Sequence, residues 1–480
     1  MIPSVEIAKT DGNLSVASGT ERILAIIGAA SAGRPNVAYT LTSKTDIVST
    51  FGGGELAEAG VYAIGQNCPV VLLRADASMP GSYGTIDVTG IQGTAVVTAG
   101  ATEPDNGYDV KVQIVAGGTL GEDGITFIYS LDGGVNWSSA QRLGTLLTLA
   151  CDSGVSFALG AAGETFVDGD TWSVTTTGPQ LNSSDVQAAY DGLTDYSGLW
   201  LRALVLADAD TTMLAGGDAF VRQAHKDGQY AEIMFNLRAR KYDTEDRPTY
   251  QAYVASVVSQ VQSTEVSVCA DCCETVSGIS GRRLRMRPAV GFAVRTVTID
   301  DSQDSAAKSL GALPSVFLQT ADGETRYHDE RRWPGLDDLG VTTLRTWGGK
   351  PISPGTYVTN GRLLSGAGSD FRYFQLSAIL NRVIETTFSL LQIRLSQSVP
   401  LNDEGTPKDD AASAIEDAIL ADLRTQYVTP RRVSNVKFAL SRTDNLLTTD
   451  TWTFSLGVVP LGYVKKFVGK AGLVRVIPSQ

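Results

Sequence analysis

The sequence predicts a mostly parallel α/β core with flanking helices, an inserted β-sandwich and an α+β C-terminal domain. Three observations predict it. Compact apolar runs alternate with helix-like segments, the texture of strands covered on both faces. Between about residues 94 and 181 this gives way to short alternating strands and Gly-rich turns, as in a β-sandwich. Beyond about residue 342, a Gly/Pro-rich strand-and-turn segment runs straight into one long helix. The expected organisation is an N-terminal arm (1–20), a core in two parts (21–93 and 182–341), the insertion (94–181), the C-terminal domain (342–470) and a C-terminal arm (471–480).

The elements follow in chain order. Residues 1–20 are polar, small and Gly-rich, with only Val5 and Ile7 alternating as a strand would. Ile23 to Gly28 and Val70 to Arg74 are apolar runs suited to buried strands, with helix-like sequence from Glu55 to Gly65 between them. In the insertion, Val110, Val112 and Ile114 alternate with polar residues, as do Phe127 with Tyr129 and Trp172 with Val174. The core resumes with helix-like pieces at 185–192, 213–226 and 248–262. Strand-like pieces lie at 199–207, 232–238, 265–269 and 289–298.

In the C-terminal domain, Ser369 or Asp370 can cap a helix running from Phe371 to about Leu395. One face of it carries Arg372, Gln375, Arg382, Glu385, Ser389 and Gln392. The apolar remainder is wide enough to be mostly core, leaving the strip with Arg372, Arg382 and Glu385 to meet a partner. A second helix from Ala411 to about Gln426 exposes Glu416, Asp417 and Asp422. A hairpin follows, in which Val436, Phe438 and Leu440 answer Trp452, Phe454 and Leu456. The tail holds Leu473, Val474, Val476 and Ile477, a strand-like piece with no local partner.

At 480 residues the chain needs more than one core. Its net charge of −13 argues against nucleic-acid binding, which requires a basic footprint. No apolar run approaches the roughly 20 residues that span a bilayer, and no basic-then-apolar leader opens the chain. Five cysteines, an odd number, fit free thiols better than a disulfide framework.

Motifs for chemistry are weak. Cys269, Cys272 and Cys273 form a C-x-x-C-C cluster, but a structural zinc site needs four ligands and there is no second pair. Small buried side chains at a strand end are the simpler reading. Ser130-Leu131-Asp132-Gly133-Gly134-Val135-Asn136-Trp137 is similar to the Asp-box turn of sialidases, with Asn136 in place of Thr. A single copy reads as a β-turn with Trp137 packed on the core, since a propeller needs repeated blades. Phe51-Gly52-Gly53-Gly54 lacks the Lys and the strand-to-helix context of a phosphate loop. Asp300, Asp301 and Asp304, and Asp329 with Glu330, read as solvated loops before acid–base pairs. The alternating run from Arg282 to Arg287 suits docking on an acidic face of a neighbour. No pattern implies a catalytic residue, metal or cofactor.

The order of the segment from Val341 to Leu395, with Trp347, Gly348, Tyr357, Asn360 and Arg362 ahead of the long helix, resembles the C-terminal domain of contractile-tail sheath proteins. Ile2-Pro3-Ser4-Val5-Glu6-Ile7 is similar to that family's short arm, with Ser4 where Gly is usual. The stretch Val61 to Arg74 resembles its helix, turn and apolar strand ending in Arg, with Cys68 where Gly is common. The C-terminal hairpin and tail add to the likeness.

The resemblance implies a non-enzymatic virion subunit without cofactors, assembled in a bacterial host. It implies hexameric rings of identical subunits stacked around a tail tube protein, with baseplate and terminator proteins at the ends. It further implies that Val5 and Ile7, and Leu473, Val474, Val476 and Ile477, add strands to a neighbour's sheet. Contraction would then be a lattice rearrangement driven by interface contacts. The tube-facing surface would lie on the C-terminal domain, either on the acidic helix with Glu416, Asp417 and Asp422 or on the polar strip with Arg372, Arg382 and Glu385. Neither nucleic acid nor membrane is an expected partner. The rival readings are a carbohydrate-active or receptor-binding β-rich protein, resting on the Asp-box-like turn, or another self-assembling shell.

Overall fold

The structure, a computed structural model, describes residues 22–320, 323–349, 352–366 and 368–469. These fall into two compact units that divide between Asn381 and Arg382.

The first unit is built on a six-stranded sheet. Its order is Val266–Cys269, Glu232–Asn236, Arg202–Asp208, Leu24–Gly28, Val70–Arg74 and Ala38–Leu41. The first five run parallel, and Ala38–Leu41 closes one edge antiparallel to Val70–Arg74. Alternate residues of each strand enter opposite cores, because successive side chains point to opposite faces. Leu24, Ile26, Leu72, Leu204 and Met234 join one apolar cluster with helices Glu55–Gly65 and Pro288–Thr298. Ala25, Ile27, Leu73, Val205 and Phe235 join the other, with helices Ser183–Thr194, Thr211–Lys226 and Arg247–Val258. Those three helices start where short polar side chains take up free N–H groups. Asn182 accepts from Asp185 in a capping box, Asp210 from Met213 and Asp246 from Thr249.

One element differs in type from its sequence reading. The apolar run 289–298, expected as a strand, is the helix Pro288–Thr298. Every residue from Pro288 to Val297 is buried, so no polar face marks a helical period. Pro288 in the first turn, where its fixed φ suits a helix, was the available signal.

The inserted β module has its own core. Strands Asp109–Ala116, Thr126–Ser130 and Thr171–Thr177 are antiparallel neighbours. Val112, Ile114, Phe127, Tyr129 and Trp172 are buried together, with Trp172 stacked on Phe166 at 5.6 Å and edge-on to Phe157 at 5.7 Å. Ser82–Tyr83 and Asp87–Gly90 also pair with Thr171–Thr177, so β pairing begins ahead of residue 94. The module's stem rests on the Phe51–Gly54 loop, which links two helices. Gly54 takes a φ of +102° where it meets the Asp105 backbone, a conformation that glycine adopts without strain.

The long helix Phe374–Gln392 spans the division between the units. Ser369 Oγ accepts from the N–H of Phe371 at 3.1 Å, closing a turn three residues before the helix starts. In the second unit, helix Asp409–Leu423 continues into a wider π turn, Arg424–Val428, and packs on the strand Asn435–Leu440. Val436, Phe438 and Leu440 are buried, as are Ile419 and Leu423. Strand Phe454–Val459 completes a hairpin with Asn435–Leu440. Trp452 lies just outside it, its indole N–H donating to Ser441 O at 2.7 Å.

Candidate functional site

In open parallel sheets, ligands favour the crevice beyond the strand C-termini where strand order reverses. That point lies between Leu24–Gly28 and Arg202–Asp208. It is filled by charge. Arg287 Nε donates to Glu55 at 2.6 Å, and its guanidinium also pairs with Asp208. Glu55 opens the helix whose N-terminus would otherwise attract an anion, and so puts a carboxylate there. Burial opposes the charge on Arg287, but Glu55 and Asp208 outweigh it and raise its pKa. One helical turn on, burial lifts Glu58 to about 7, helped by the nearby Asp105 and opposed by the Ser277 hydroxyl, which donates at 2.6 Å.

The arginine run docks inside the chain. Arg283 pairs with Glu274 at 3.0 Å, Arg285 with Asp109 of the β module, and Arg282 with Asp152 of the same module at 3.6 Å. The alternating arginines reveal the chemistry of this strand but not its partner. The acidic face it needs is the module inserted earlier in the same chain.

The three clustered cysteines are small core side chains with free thiols. Cys269 and Cys273 are buried, and the Cys273 thiol donates to Met286 O at 3.2 Å. Burial raises all three pKa values, that of Cys272 to about 12, so the thiols stay protonated. The acidic pairs are more buried than their composition suggested. Asp329 is fully buried and accepts from Thr346 N–H and Arg331 N–H, both at 3.0 Å. Glu330 holds His328 at 2.8 Å, and Asp301 holds Arg22 at 2.8 Å and Arg202 at 2.6 Å.

The Asp-box-like turn is a structural turn. Asp132 accepts from the Asn136 N–H at 2.8 Å and its amide at 2.7 Å, and Gly134 N–H donates to Ser130 at 2.9 Å. Gly133 and Gly134 both have positive φ, which glycine adopts without steric cost. Trp137 does not pack on the core as expected. It is 40% exposed, and the core position belongs to Trp172.

The long helix also departs from its sequence pattern. Its buried positions include Gln375, Ser377, Asn381 and Thr387, while Leu395, just past its end, is 72% exposed. Two of them, Ser377 and Asn381, face a charged cluster at the N-terminal ends of the parallel strands. Arg202 and Glu232, almost fully buried, pair at 3.2 Å. The Asn381 amide donates to Glu232 and to Glu265, both at 3.0 Å, and Ser377 donates to Glu265 at 3.2 Å. Burial first, then Glu232, raises Glu265 to about 7. Sequence reading missed this cluster. The signal was a lone Arg inside the apolar run 199–207, matched by Glu232 at the start of the neighbouring strand.

The proposed partner-facing residues are scattered in character. Arg372, Asp417 and Asp422 are exposed. Arg382 and Glu385 are half-buried and paired with each other. Glu416 turns inward, accepting from Leu440 N–H at 2.6 Å and from Arg442 at 2.8 Å, which ties its helix to the hairpin. Val5, Ile7, Leu473, Val474, Val476 and Ile477 lie outside the described residues.

The hairpin is unfinished in the physical sense. Among the described residues its sheet has two strands, and Phe454 and Val459 on the outer strand are about half exposed. The most exposed apolar side chains also belong to the second unit: Ile393 at 71%, Leu447 at 72% and Phe467 at 90%.

A family model described as DUF2586, N-terminal domain, matches residues 2–362. The chain belongs to the DUF2586 family. No curated protein matches this DUF2586 chain. Among solved structures, it is similar to a chain of the anti-feeding prophage (AFP) baseplate in its contracted state. Identity is 12%, 98% of each chain is covered and the TM-score is 0.51. A sheath tail protein from Desulfitobacterium hafniense matches at 13% identity and TM-score 0.48, covering 95% of this chain and 100% of its own. One from Listeria innocua matches at 12% identity and TM-score 0.47, covering 93% and 97%. The resemblance to contractile-tail proteins read from the sequence thus extends to the fold, which the DUF2586 chain shares with a chain of the AFP baseplate.

Proposed function

We propose that this protein is a structural, non-enzymatic subunit of a contractile tail sheath. It polymerises as stacked rings, hexameric by resemblance, around a tail tube, and contracts by rearranging its lattice to drive the tube through a cell envelope. The carrying observation is the two-stranded hairpin, whose second strand, Phe454–Val459, has an outer edge with no paired strand among the described residues. An isolated hairpin is marginal in water, and an open apolar edge invites a further strand. The sequence around Val5 and Ile7, and around Leu473, Val474, Val476 and Ile477, has the strand-like pattern that a neighbour would need to supply. Partners on this reading are further copies, a tube protein, and baseplate and terminator proteins at the ends of the polymer. The tube-facing strip is drawn from Arg372, Arg382, Glu385, Glu416, Asp417 and Asp422, with the exposed Asp417 and Asp422 best placed for it.

Deleting residues 1–20 tests the reading. The full chain should form tubes or stacked rings of fixed diameter under negative-stain microscopy. The deleted chain should keep its circular dichroism spectrum and thermal midpoint but remain as separate particles. Assembly of the deleted chain equal to that of the full chain would sink the proposal.

A further inference from the structure

One surface of the first unit gathers three arginines, Arg247, Arg326 and Arg345, that make no ion pair among the described residues. It is made by two loops that Asp271 staples together, accepting from Arg240 N–H at 3.0 Å and His328 N–H at 2.6 Å. Arg247 lies over Trp333 at 3.2 Å, and Arg326 over Tyr242 at 4.8 Å with Arg240 also on that ring at 5.1 Å. Arg345 lies over Trp347 at 4.4 Å. Asp329 brings this last pair alongside, because it binds the N–H groups of both Arg331 and Thr346. Among the described residues, Arg247, Arg326 and Arg345 have no ion pair, and Arg247 Nη1, Arg326 Nε and Arg345 Nε are buried without a hydrogen-bond acceptor. Burial first, then the neighbouring Arg240, lowers the pKa of Arg247 against the attraction of Asp271. The acids that attract these arginines from within the chain are already committed: Asp271, beside Arg247, to the N–H groups of Arg240 and His328, and Asp329 and Glu330, beside Arg345, to the N–H groups of Arg331 and Thr346 and to His328.

Crowded guanidiniums fixed on aromatic rings are poised for a carboxylate partner, since Arg, Trp and Tyr dominate interface hot spots. The complementary surface is in the same sequence. Residues 82–181 hold eleven acidic and two basic residues, a net charge of −9. Asp87, Glu103, Glu122, Asp123 and Asp168 of that module are exposed. Its Asp109 and Asp152 already meet Arg285 and Arg282 of the same chain, which shows the chemistry of the match.

We propose that the arginine–aromatic surface around Arg247, Arg326 and Arg345 docks the acidic β module of a second copy of this chain. The contact is heterologous, one face meeting a different face, and so propagates along a polymer. It rests on the sheath reading only in supplying neighbouring copies at high local concentration. It assigns the inserted module a bonding role that strand exchange does not need.

The test uses the full chain and three variants: R247Q/R345Q, R331E at the exposed rim, and E122K/D123K on the module. Sedimentation velocity at several salt concentrations reads pair association, and microscopy reads polymer formation. Each variant should weaken pair association about tenfold or more and flatten its salt dependence. R331E leaves the stacked pairs intact and guards against a folding defect in R247Q/R345Q. Wild-type association in both arginine variants overturns the proposal, as does wild-type association in E122K/D123K. Polymers that form equally well in all variants sink the docking contact and leave the sheath reading standing. Salt-sensitive pairs lost in the variants, with no polymer from any chain, do the reverse.

Discussion

The six-stranded sheet and the C-terminal hairpin solve the same problem in opposite ways. The sheet buries both faces under helices, closes one edge with the short antiparallel strand Ala38–Leu41, and covers the other where Thr342 N–H and Leu364 N–H donate to Val268 O and Val266 O. The hairpin has one buried strand, Asn435–Leu440, and one whose apolar side chains are largely in water. The charges follow the same division. Arg202 is buried with Glu232 in the first unit, whereas Arg442 of the second is a third exposed where it holds Glu416. The first unit closes the edges of its sheet with its own chain, whereas the outer strand of the second unit's hairpin has no further strand beside it among the described residues.

The sharpest break of that contrast is R202M. Removing the guanidinium leaves Glu232 buried without its cation and deprives Asp301 of one of two arginines. Breaking a buried pair from one side costs about 3–5 kcal/mol. R442M removes the guanidinium that pairs with Glu416 and Asp409 in the second unit and should cost about 0–1 kcal/mol, since solvent already screens it. Urea denaturation followed by circular dichroism measures both. Equal losses would mean that the two units are equally self-sufficient.

This contrast was only half legible in the sequence. Strands such as Val70–Arg74 are continuous apolar runs between punctuating residues, and the β module alternates cleanly, so both are read directly. Asn67 even shows its turn, with the positive φ that Asn tolerates. The helix 288–298 was misread because total burial erases periodicity. The polar residues of the long helix pointed the wrong way for a related reason. Gln375 read as part of the polar face but is buried, and nothing local reveals that Glu232 and Glu265 wait beneath Ser377 and Asn381. The Arg282–Arg287 strand showed its need for an acidic partner, but distance in sequence hid that the partner was intramolecular.

The buried acids make the first unit sensitive to pH in a predictable direction. Glu265 is held at about 7 against a usual value of 4.5, by burial and by Glu232, itself paired with Arg202. Its folded form therefore binds a proton more tightly than its unfolded form. The resulting stability is fully present below about pH 4.5 and is lost as pH rises through about 7. E265Q keeps an acceptor for Asn381 and Ser377 but carries no charge at any pH. It should match the wild type near pH 4.5 and exceed it at pH 8 by about 1–3 kcal/mol. Glu58, lifted to about 7 by a separate cluster, should leave some pH dependence in the variant. Denaturation midpoints across that window decide it, and a variant that is less stable than the wild type at pH 8 rules the argument out.

The smallest effect on the monomer separates exposure from idleness. Ile393, just beyond the long helix, is 71% exposed and covers nothing that its removal would uncover. I393S should change the unfolding free energy by less than about 0.5 kcal/mol, as surface substitutions do. If the exposed apolar residues of the second unit are there for neighbours, the same variant should impair polymer formation while its monomer remains as stable as the wild type. A monomer destabilised by several times that amount would place Ile393 in a core that the second unit completes by itself, and the contrast between the two units would lose its basis. Normal assembly of I393S would instead confine the unfinished surface to the hairpin edge, where the outer strand alone would have to recruit the neighbour.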